Sequence, residues 1–380
     1  MPIVGFICFF AAMEINHYFR PINPDDLPQD AHGQSWFTKS QLYIDIMPGL
    51  DGVQLAIIGF DDRAADNVRK ELYRLSQIYQ IEIVDLGNII TTVDPEDTEF
   101  AISHVMSYLQ ERKVIPIFIS ADNRWDYAIY RGFEDQDLMV TMGMISPNID
   151  LGKHSPLSKM VVHKPNFLFN LSLLAYQTYM TDPLALEAFQ HMYFDAFRLG
   201  WVNTHMEEVE PVLRSCDMLS LDMRSVRMSD APGITDGSPN GLFGDEVCRL
   251  ARYGGMGQSL KVFMLNGINI SNDINNQTAK LAAQIIWYVV DGFMARHREN
   301  PEENPDDFFK FVIGLKDNAH SINFYKSKRT ERWWMEVPTH VNRHTHHGPH
   351  MVPCSYQDYQ QACKDEIPER WWNMYQKFLV

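Results

Sequence analysis

Four aspartates stand just after, or inside, apolar segments of strand length, where carboxylates could hold metal ions. They are Asp122, Asp126, Asp150 and Asp222. Carboxylate oxygens are hard donors that suit Mn²⁺, particularly when a histidine completes the ligand set. Two such ions can activate one bridging water for attack on a carbon centre. The pattern therefore indicates metal-dependent hydrolysis as the candidate chemistry.

The elements that would position these aspartates are apolar strands that alternate with helices. Predicted strands cover 54–59, 81–86, 114–119, 138–145, 167–176, 218–223 and 261–265, and predicted helices cover 64–78, 97–112, 184–197, 207–213, 245–253 and 278–296. Strands that are apolar on both faces and alternate with helices indicate an α/β fold with three α-β-α layers and a mainly parallel central sheet. Ligands of such sheets bind at the carboxyl ends of the strands, where the four aspartates are expected.

The segment Cys216–Gly233 resembles the signature of the ureohydrolase family (arginase, agmatinase and formimidoylglutamase), which reads S-x-D-x-D-x-x-D-P followed by A-P-G. Ser220, Asp222 and Ala231–Gly233 match the pattern, whereas Arg224 occupies the second metal-binding Asp position. Within the family the chain looks most like formimidoylglutamase-type sequences with a Trp-rich C-terminal tail. The resemblance implies an arginase-like fold and, in the family, two Mn ions.

The resemblance extends to two further ligand segments, G-G-D-H and D-A-H-x-D. These correspond to Ser120–Asn123 and Ser146–Asp150. The implied ligand positions are Asn123, Ser146, Asn148, Asp150, Asp222 and Arg224. Only Asp150 and Asp222 keep a carboxylate, and Arg224 places a permanent cation where the family binds a dication.

Two other family features are missing from the sequence. Gly59 runs almost directly into the helical pattern at Ala64, without the Gly-rich loop that lines the family's substrate pocket. Leu265–Asn269 carries no acid where family members have a substrate-binding Glu. We therefore expect a non-catalytic pseudoenzyme with neither catalytic residues nor metal, which acts as a binding or scaffold protein.

The alternative is a working hydrolase of C–N bonds in linear amidines, with a rearranged or single-metal site. Asp122, Asp126, Asp150 and Asp222 would then supply the ligands. In the pseudoenzyme, Asp122 and Asp126 belong to a residual pocket, and Arg224 is expected to form salt bridges with Asp150 and Asp222.

Composition limits the classes of partner. The chain has 380 residues, of which 45% are hydrophobic and 22% charged, and its formal net charge is −16. This acidity argues against nucleic acid or an anionic membrane as the main partner. Five scattered cysteines without a C-x-x-C pair fit a reducing compartment, so we expect a cytoplasmic protein. The partner is an unidentified protein or small molecule, and a homo-oligomer fits the resemblance.

Three regions are expected along the chain. Residues 1–49 form a lead-in, 50–297 the ureohydrolase-like domain, and 298–380 a linker and an aromatic and His-rich extension that packs on the domain. Residues 1–12 are expected not to be native, with translation starting at Met13; a signal peptide is the alternative. The cluster His340, His344, His346, His347 and His350 matches no standard closed metal site and is interpreted as surface or packing histidines.

Overall fold

The computed structural model describes residues 15–28, 33–60, 63–136, 139–269, 271, 273–315, 320–339 and 350–379. The predictions about residues 1–12 and about the histidines from His340 to His347 lie outside these ranges. His350 lies inside them, and its ring contacts the ring of Phe378 with centroids 5.4 Å apart.

A twisted, mainly parallel sheet forms the centre of the molecule. Its strands are β1 (Phe19–Arg20), β2 (Gln41–Leu42), β3 (Leu55–Phe60), β4 (Ile83–Ile89), β5 (Ile115–Ile119), β6 (Val140–Ile145), β7 (Leu168–Tyr176), β8 (Asp195–Arg198), β9 (Met218–Asp222) and β10 (Val262–Asn266). They run in the order β1-β4-β3-β5-β10-β9-β6-β7-β8, with β2 also paired to β4. β1 is antiparallel to β4, whereas the other pairs are parallel.

Helices cover both faces of the sheet. They are α1 (Trp36–Lys39), α2 (Ala64–Leu72), α3 (Pro95–Glu111), α4 (Asp126–Arg131), α5 (Pro156–Val162), α6 (Pro183–His191), α7 (Leu199–Thr204), α8 (Met206–Arg214), α9 (Gly244–Met256) and α10 (Gln277–Met294). α2, α8, α9 and α10 bury one apolar cluster against one face, and α3 to α6 bury a second cluster against the other. The predicted three-layer α/β fold is confirmed, because both faces of the parallel strands are covered. No helix in the described ranges is long and apolar enough to cross a membrane.

Two of the predicted elements were wrong in their extent. The helix predicted over 184–197 ends at His191, and Asp195–Arg198 instead forms β8. Tyr193 has φ 56°, which takes the backbone out of the right-handed helical region and turns it toward β7. The helix predicted over 64–78 ends already at Leu72.

The C-terminal residues build a second sheet that the sequence reasoning did not foresee. Its strands are β11 (Phe308–Leu315), β12 (His320–Ser327), β13 (Trp333–Val337) and β14 (His350–Cys354), in that order and antiparallel. Helices α11 (Tyr356–Cys363) and α12 (Glu369–Leu379) follow. Rings of Phe324, Trp333 and Tyr359 pack between this sheet and α11.

Charged residues of α8 join the extension to the parallel-sheet body. Arg214 is buried, lies 3.1 Å from Glu210, and donates a hydrogen bond to the carbonyl of Trp333 at 3.1 Å. Its guanidinium lies 4.3 Å from the ring centroid of Trp334. Arg332 of the extension reaches the same Glu210 at 3.3 Å. One carboxylate thus stands between two guanidinium groups at this junction.

α12 covers the outer side of β8. Asn373 donates to Asp195 at 3.1 Å, Lys377 donates to Asn170 of β7, and the rings of Phe378 and Phe169 contact each other with centroids 5.4 Å apart. The end of the chain therefore packs on the edge strand of the central sheet.

Candidate functional site

The carboxyl ends of β5, β6, β9 and β10 meet at the middle of the sheet, and an ion pair lies at the end of β9. Asp222 is buried, and its Oδ2 accepts hydrogen bonds from Arg224 Nε at 2.8 Å and from Nη2 at 2.6 Å. Its Oδ1 accepts from the backbone N–H of Arg224 at 2.9 Å. Both carboxylate oxygens of Asp222 are therefore engaged by one neighbouring residue.

The pair favours the charged form of Arg224. Hydrogen bonds to Asp222 raise the pKa of Arg224 against the opposing effect of burial, and the negative charges of Asp222, Asp236 and Asp150 raise it further. The side chain of Arg224 is 34% exposed, so one edge of the guanidinium still faces solvent. At the end of β9 the structure thus holds a permanent cation, stabilised by the aspartate beside it.

Gly267, directly after β10, gives Asp222 the space that it needs. Gly267 has φ +83°, and a Cβ added there would lie 2.7 Å from Asp222 Oδ1. A glycine accepts this left-handed backbone without a steric penalty. The turn after β10 and the ion pair after β9 are therefore fitted to each other.

We expect Gly267→Ala to lower the free energy of unfolding by about 2–3 kcal/mol, from left-handed strain together with the displaced carboxylate. Gly52→Ala is the matched control, because Gly52 has φ +76° and a Cβ there meets nothing within 4 Å. Urea unfolding of both variants measures the difference. A loss at Gly267 no larger than that at Gly52 would show that the turn after β10 and the carboxylate of Asp222 are not coupled.

A second carboxylate is buried beside this pair. Asp126, at the start of α4, accepts hydrogen bonds from Ser220 Oγ at 2.8 Å and from Asn266 Nδ2 at 2.9 Å. Asn266 Nδ2 also lies 3.1 Å from Ser220 Oγ. All three residues are almost fully buried. They form a closed polar cluster that bridges α4, β9 and β10.

Burial raises the pKa of Asp126 to about 7. The hydrogen bonds from Ser220 and Asn266 act against that shift, while the charges of Asp222 and Asp122 add to it. A carboxyl group in this environment exchanges its proton near neutral pH, because removal from water disfavours the anion.

Asp122 lies farther out and is paired with an arginine of its own loop. Its two oxygens accept hydrogen bonds from Arg124 Nε at 2.8 and 2.9 Å. Partial burial opposes ionisation of Asp122, but the hydrogen bonds from Arg124 outweigh it and hold its pKa below the usual value. The Arg124 side chain is 67% exposed, so this pair contributes little to stability.

The remaining implied ligand positions do not converge on Asp222. Ser146 is buried and donates to the carbonyl of Asn148 at 3.2 Å, and Asn148 and Asn123 are half-buried. Asp150 is exposed, and its Oδ1 accepts from the N–H of Gly152 at 2.8 Å. Arg224 thus pairs with Asp222, while Asp150 acts on it only through its charge.

An open depression adjoins these residues. It has a volume of about 520 Å³, and its lining includes Asp122, Asn123, Arg124, Asp150 and Lys153. Asp126 and Asp222 are not part of this lining. Of the two residues assigned to a residual pocket, Asp122 faces the depression and Asp126 is buried in the hydrogen-bonded cluster.

These side chains do not fit a pair of Mn ions. Both carboxylate oxygens of Asp222 accept hydrogen bonds from Arg224, Asp126 is held by Ser220 and Asn266, and Asn123 is a neutral amide. A dication would also have to lie next to the guanidinium of Arg224, at a distance where like charges repel strongly. Within the described ranges, no three His, Cys, Asp or Glu side chains are grouped so that they could hold a metal ion.

Only part of this arrangement can be predicted from the sequence. Ser220 belongs to the signature segment, but its role as a donor to Asp126 depends on how α4 folds over the strand ends. In the sequence, Asn266 is distinguished only as a position without an acid. A polar residue at the last position of a buried strand, as Asn266 is, was the one available signal for a buried partner.

Comparison with known proteins places the chain by its fold. No protein-family model matches it, and no curated protein matches its sequence significantly. Among solved structures, formimidoylglutamase from Bacillus subtilis has a TM-score of 0.62 at 15% identity, over 75% of this chain and 99% of that one. Trypanosoma cruzi formiminoglutamase with Mn²⁺ at pH 6.0 gives 0.61 at 15% identity, over 69% and 98%. Arginase from Bacillus subtilis gives 0.53 at 16% identity, over 62% and 98%. The chain therefore has the arginase-like fold, with an additional antiparallel sheet at its C-terminal end.

Proposed function

We propose that this arginase-fold protein has lost the binuclear manganese site of its structural relatives and acts as a non-catalytic binding or scaffold protein. The observation that carries the proposal is the Arg224–Asp222 pair. It supplies from within the chain a positive charge that neutralises Asp222, at the end of a central strand where relatives would bind metal. A guanidinium that donates two hydrogen bonds to one carboxylate is a strong, directed partner.

Neighbouring features support the same conclusion. The strand that precedes the family's pocket loop ends at Phe60, and α2 begins at Ala64, which leaves room for three residues only. β10 ends in Asn266, whose amide is directed to Asp126 rather than to a pocket. Both changes remove groups that a guanidino or formimidoyl substrate would contact in the resembled family.

A second candidate is a hydrolase with a rearranged site, because Asp122 and Asp150 line the same open depression. That activity would require Asp122 to exchange Arg124 for a metal ion. It would also require Asp126 to leave Ser220 and Asn266, which costs the hydrogen bonds of a buried carboxylate. We consider this candidate weaker for those two reasons.

The proposal includes no resident cofactor. The partner is a protein or small molecule, since the net charge of −16 disfavours nucleic acid and anionic membranes. The proposed compartment is the cytoplasm, because five scattered cysteines without a C-x-x-C pair fit a reducing environment.

A turnover assay tests the absence of catalysis. The full chain is incubated with excess Mn²⁺ and a panel of guanidino and formimidoyl compounds, and the release of urea, ammonia or formamide is measured. Asp222→Asn is the matched control variant. We expect wild type and variant to be equally inactive. Turnover by the wild type that Asp222→Asn abolishes would contradict the proposal.

A further inference from the structure

A second cavity lies between the helical turn Ile15–Tyr18, the end of β4 and the first turns of α3. It has a volume of about 290 Å³, at the low end of the volumes of ligand cavities, so it has room for a small molecule only. The described residues that line it differ from those that line the depression at Asp122. Its described lining includes His17, Tyr18, Ile90, Thr92, Asp97 and Phe100.

Aromatic rings dominate one wall of this cavity. The ring of Tyr18 contacts two histidine rings, and its centroid lies 3.9 Å from that of His17 and 5.6 Å from that of His104. The ring of Phe100 contacts His104 in turn, with centroids 6.2 Å apart. The faces of tyrosine and phenylalanine rings attract cations that lie within about 6 Å of the ring centroid. The wall is therefore suited to a cation that carries apolar substituents.

The aromatic wall is held in place by neighbouring elements. The hydroxyl of Tyr18 lies within hydrogen-bond distance of His104 Nδ1, at 3.2 Å. The carbonyl of Tyr18 accepts a hydrogen bond from the N–H of Ile90 at 2.9 Å, and Phe19 pairs with Ile89 in the central sheet. Because these contacts fix the rings before a ligand arrives, binding does not have to order them.

The local charge at this cavity is negative. Asp97 belongs to the lining, and Asp94 and Glu96 lie beside it at the start of α3. Together their three carboxylates exceed the partial positive charge of a helix N-terminus, which is about half an elementary charge. Among the described residues, the lining contains neither lysine nor arginine. With a net charge of −16 on the whole chain, the cavity favours a cation over an anion.

We propose that this cavity binds a small organic cation of the alkylated ammonium class, with its charged head against Tyr18 and Phe100 and its charge balanced by Asp97. A quaternary ammonium spreads its charge over apolar methyl groups, so it binds to aromatic faces without needing hydrogen-bond acceptors. A metal ion would need several oxygen ligands at one place, and Asp97 is the one carboxylate in the described lining. The site is separate from the depression at Asp122, so it is independent of the proposed loss of manganese.

Isothermal titration calorimetry of the full chain with choline tests the proposal. Because the cavity is small and partly open to solvent, we expect a dissociation constant of about 0.1–5 mM. The matched control ligand is the neutral isostere of choline in which carbon replaces the nitrogen. It fills the same space without the charge, so we expect it to bind at least about fivefold more weakly. Absence of choline binding up to about 20 mM, or equal affinity for the two ligands, would overturn the proposal.

Variants of the chain test the location of the site. We expect Phe100→Leu and Asp97→Asn each to weaken choline binding at least about fivefold, because one removes a ring face and the other the balancing charge. Phe100 is 60% exposed and Asp97 is exposed, so neither change should prevent folding, which circular dichroism verifies.

Each of these variants has a matched control. Phe309→Leu replaces a phenylalanine of β11 that is 53% exposed, and Glu96→Gln removes an exposed acid of the same helical turn that is outside the described lining. We expect both controls to change the affinity less than about twofold, since solvent screens exposed charges. Wild-type affinity in Phe100→Leu and Asp97→Asn, or equal losses in the controls, would assign choline to another part of the surface and overturn the proposal.

Discussion

Replacement of Arg69 by methionine is expected to lower the free energy of unfolding by about 3–5 kcal/mol, the largest effect that we predict for one side chain. Arg69 on α2 is completely buried and makes two parallel hydrogen bonds to Asp85 of β4, at 2.8 and 2.9 Å. It also donates to Asn88 at 2.6 Å and to the carbonyl of Gly87 at 2.8 Å. Methionine fills much of the volume but leaves the carboxylate of Asp85 buried, with Tyr73 and the backbone N–H of Gly87 as its remaining donors and no positive charge beside it.

The matched control for Arg69→Met is Arg74→Met. Arg74 lies on the turn after α2, its side chain is 54% exposed, and its nearest ion-pair distance to Glu71 is 3.9 Å. We expect a change below about 0.5 kcal/mol there. Chemical unfolding followed by circular dichroism measures both variants. If the two losses were equal, the buried network would not hold α2 to the sheet.

The second large effect concerns pH and Asp126. Its pKa is about 7 in the folded protein and near 3.8 when unfolded, so the folded state binds the proton more tightly. The contribution to stability is complete below the unfolded value and is lost as the pH rises through about 7. With about 1.4 kcal/mol per pKa unit, we expect a loss of roughly 2–3 kcal/mol from this group between pH 5 and pH 8.

Asp126→Asn removes the titration while keeping a side chain of the same shape. Unfolding free energies measured at pH 5, 6, 7 and 8 should therefore depend less on pH in the variant than in the wild type. Asp150→Asn is the control, because Asp150 is exposed and outside the buried cluster. Parallel pH profiles for wild type and Asp126→Asn would show that Asp126 does not carry a proton in the folded state.

The sequence was sufficient to predict the three α-β-α layers of the fold and the residue at the centre of the site, Arg224. Strands such as β3, β5 and β9 are apolar on both faces, and that pattern is typical of a buried parallel strand. Arg224 could be placed beside Asp222 because only Met223 separates them at a strand end. The match to the signature segment identified the strand that ends at Asp222 as the one that carries the site.

Other features depend on contacts that sequence patterns do not encode. The inward direction of Asp126 follows from the packing of α4 across β9 and β10. Its partners there, Ser220 and Asn266, are 94 and 140 positions away in the sequence. The change from helix to strand near Asp195 depends on Tyr193 leaving the helical region and on pairing with β7. The C-terminal sheet does not follow from the sequence, because its aromatic residues indicate packing without indicating which strands pair.

The central claim is that this protein has lost the manganese site of its structural relatives, and it is tested most directly by counting bound metal. The full chain is incubated with excess Mn²⁺, freed of unbound ions and analysed by elemental mass spectrometry, beside the Asp222→Asn variant. We predict fewer than about 0.1 Mn per chain in both proteins, because tight binding needs several deprotonated ligands at one place. About two Mn per wild-type chain, reduced in Asp222→Asn, would contradict the account.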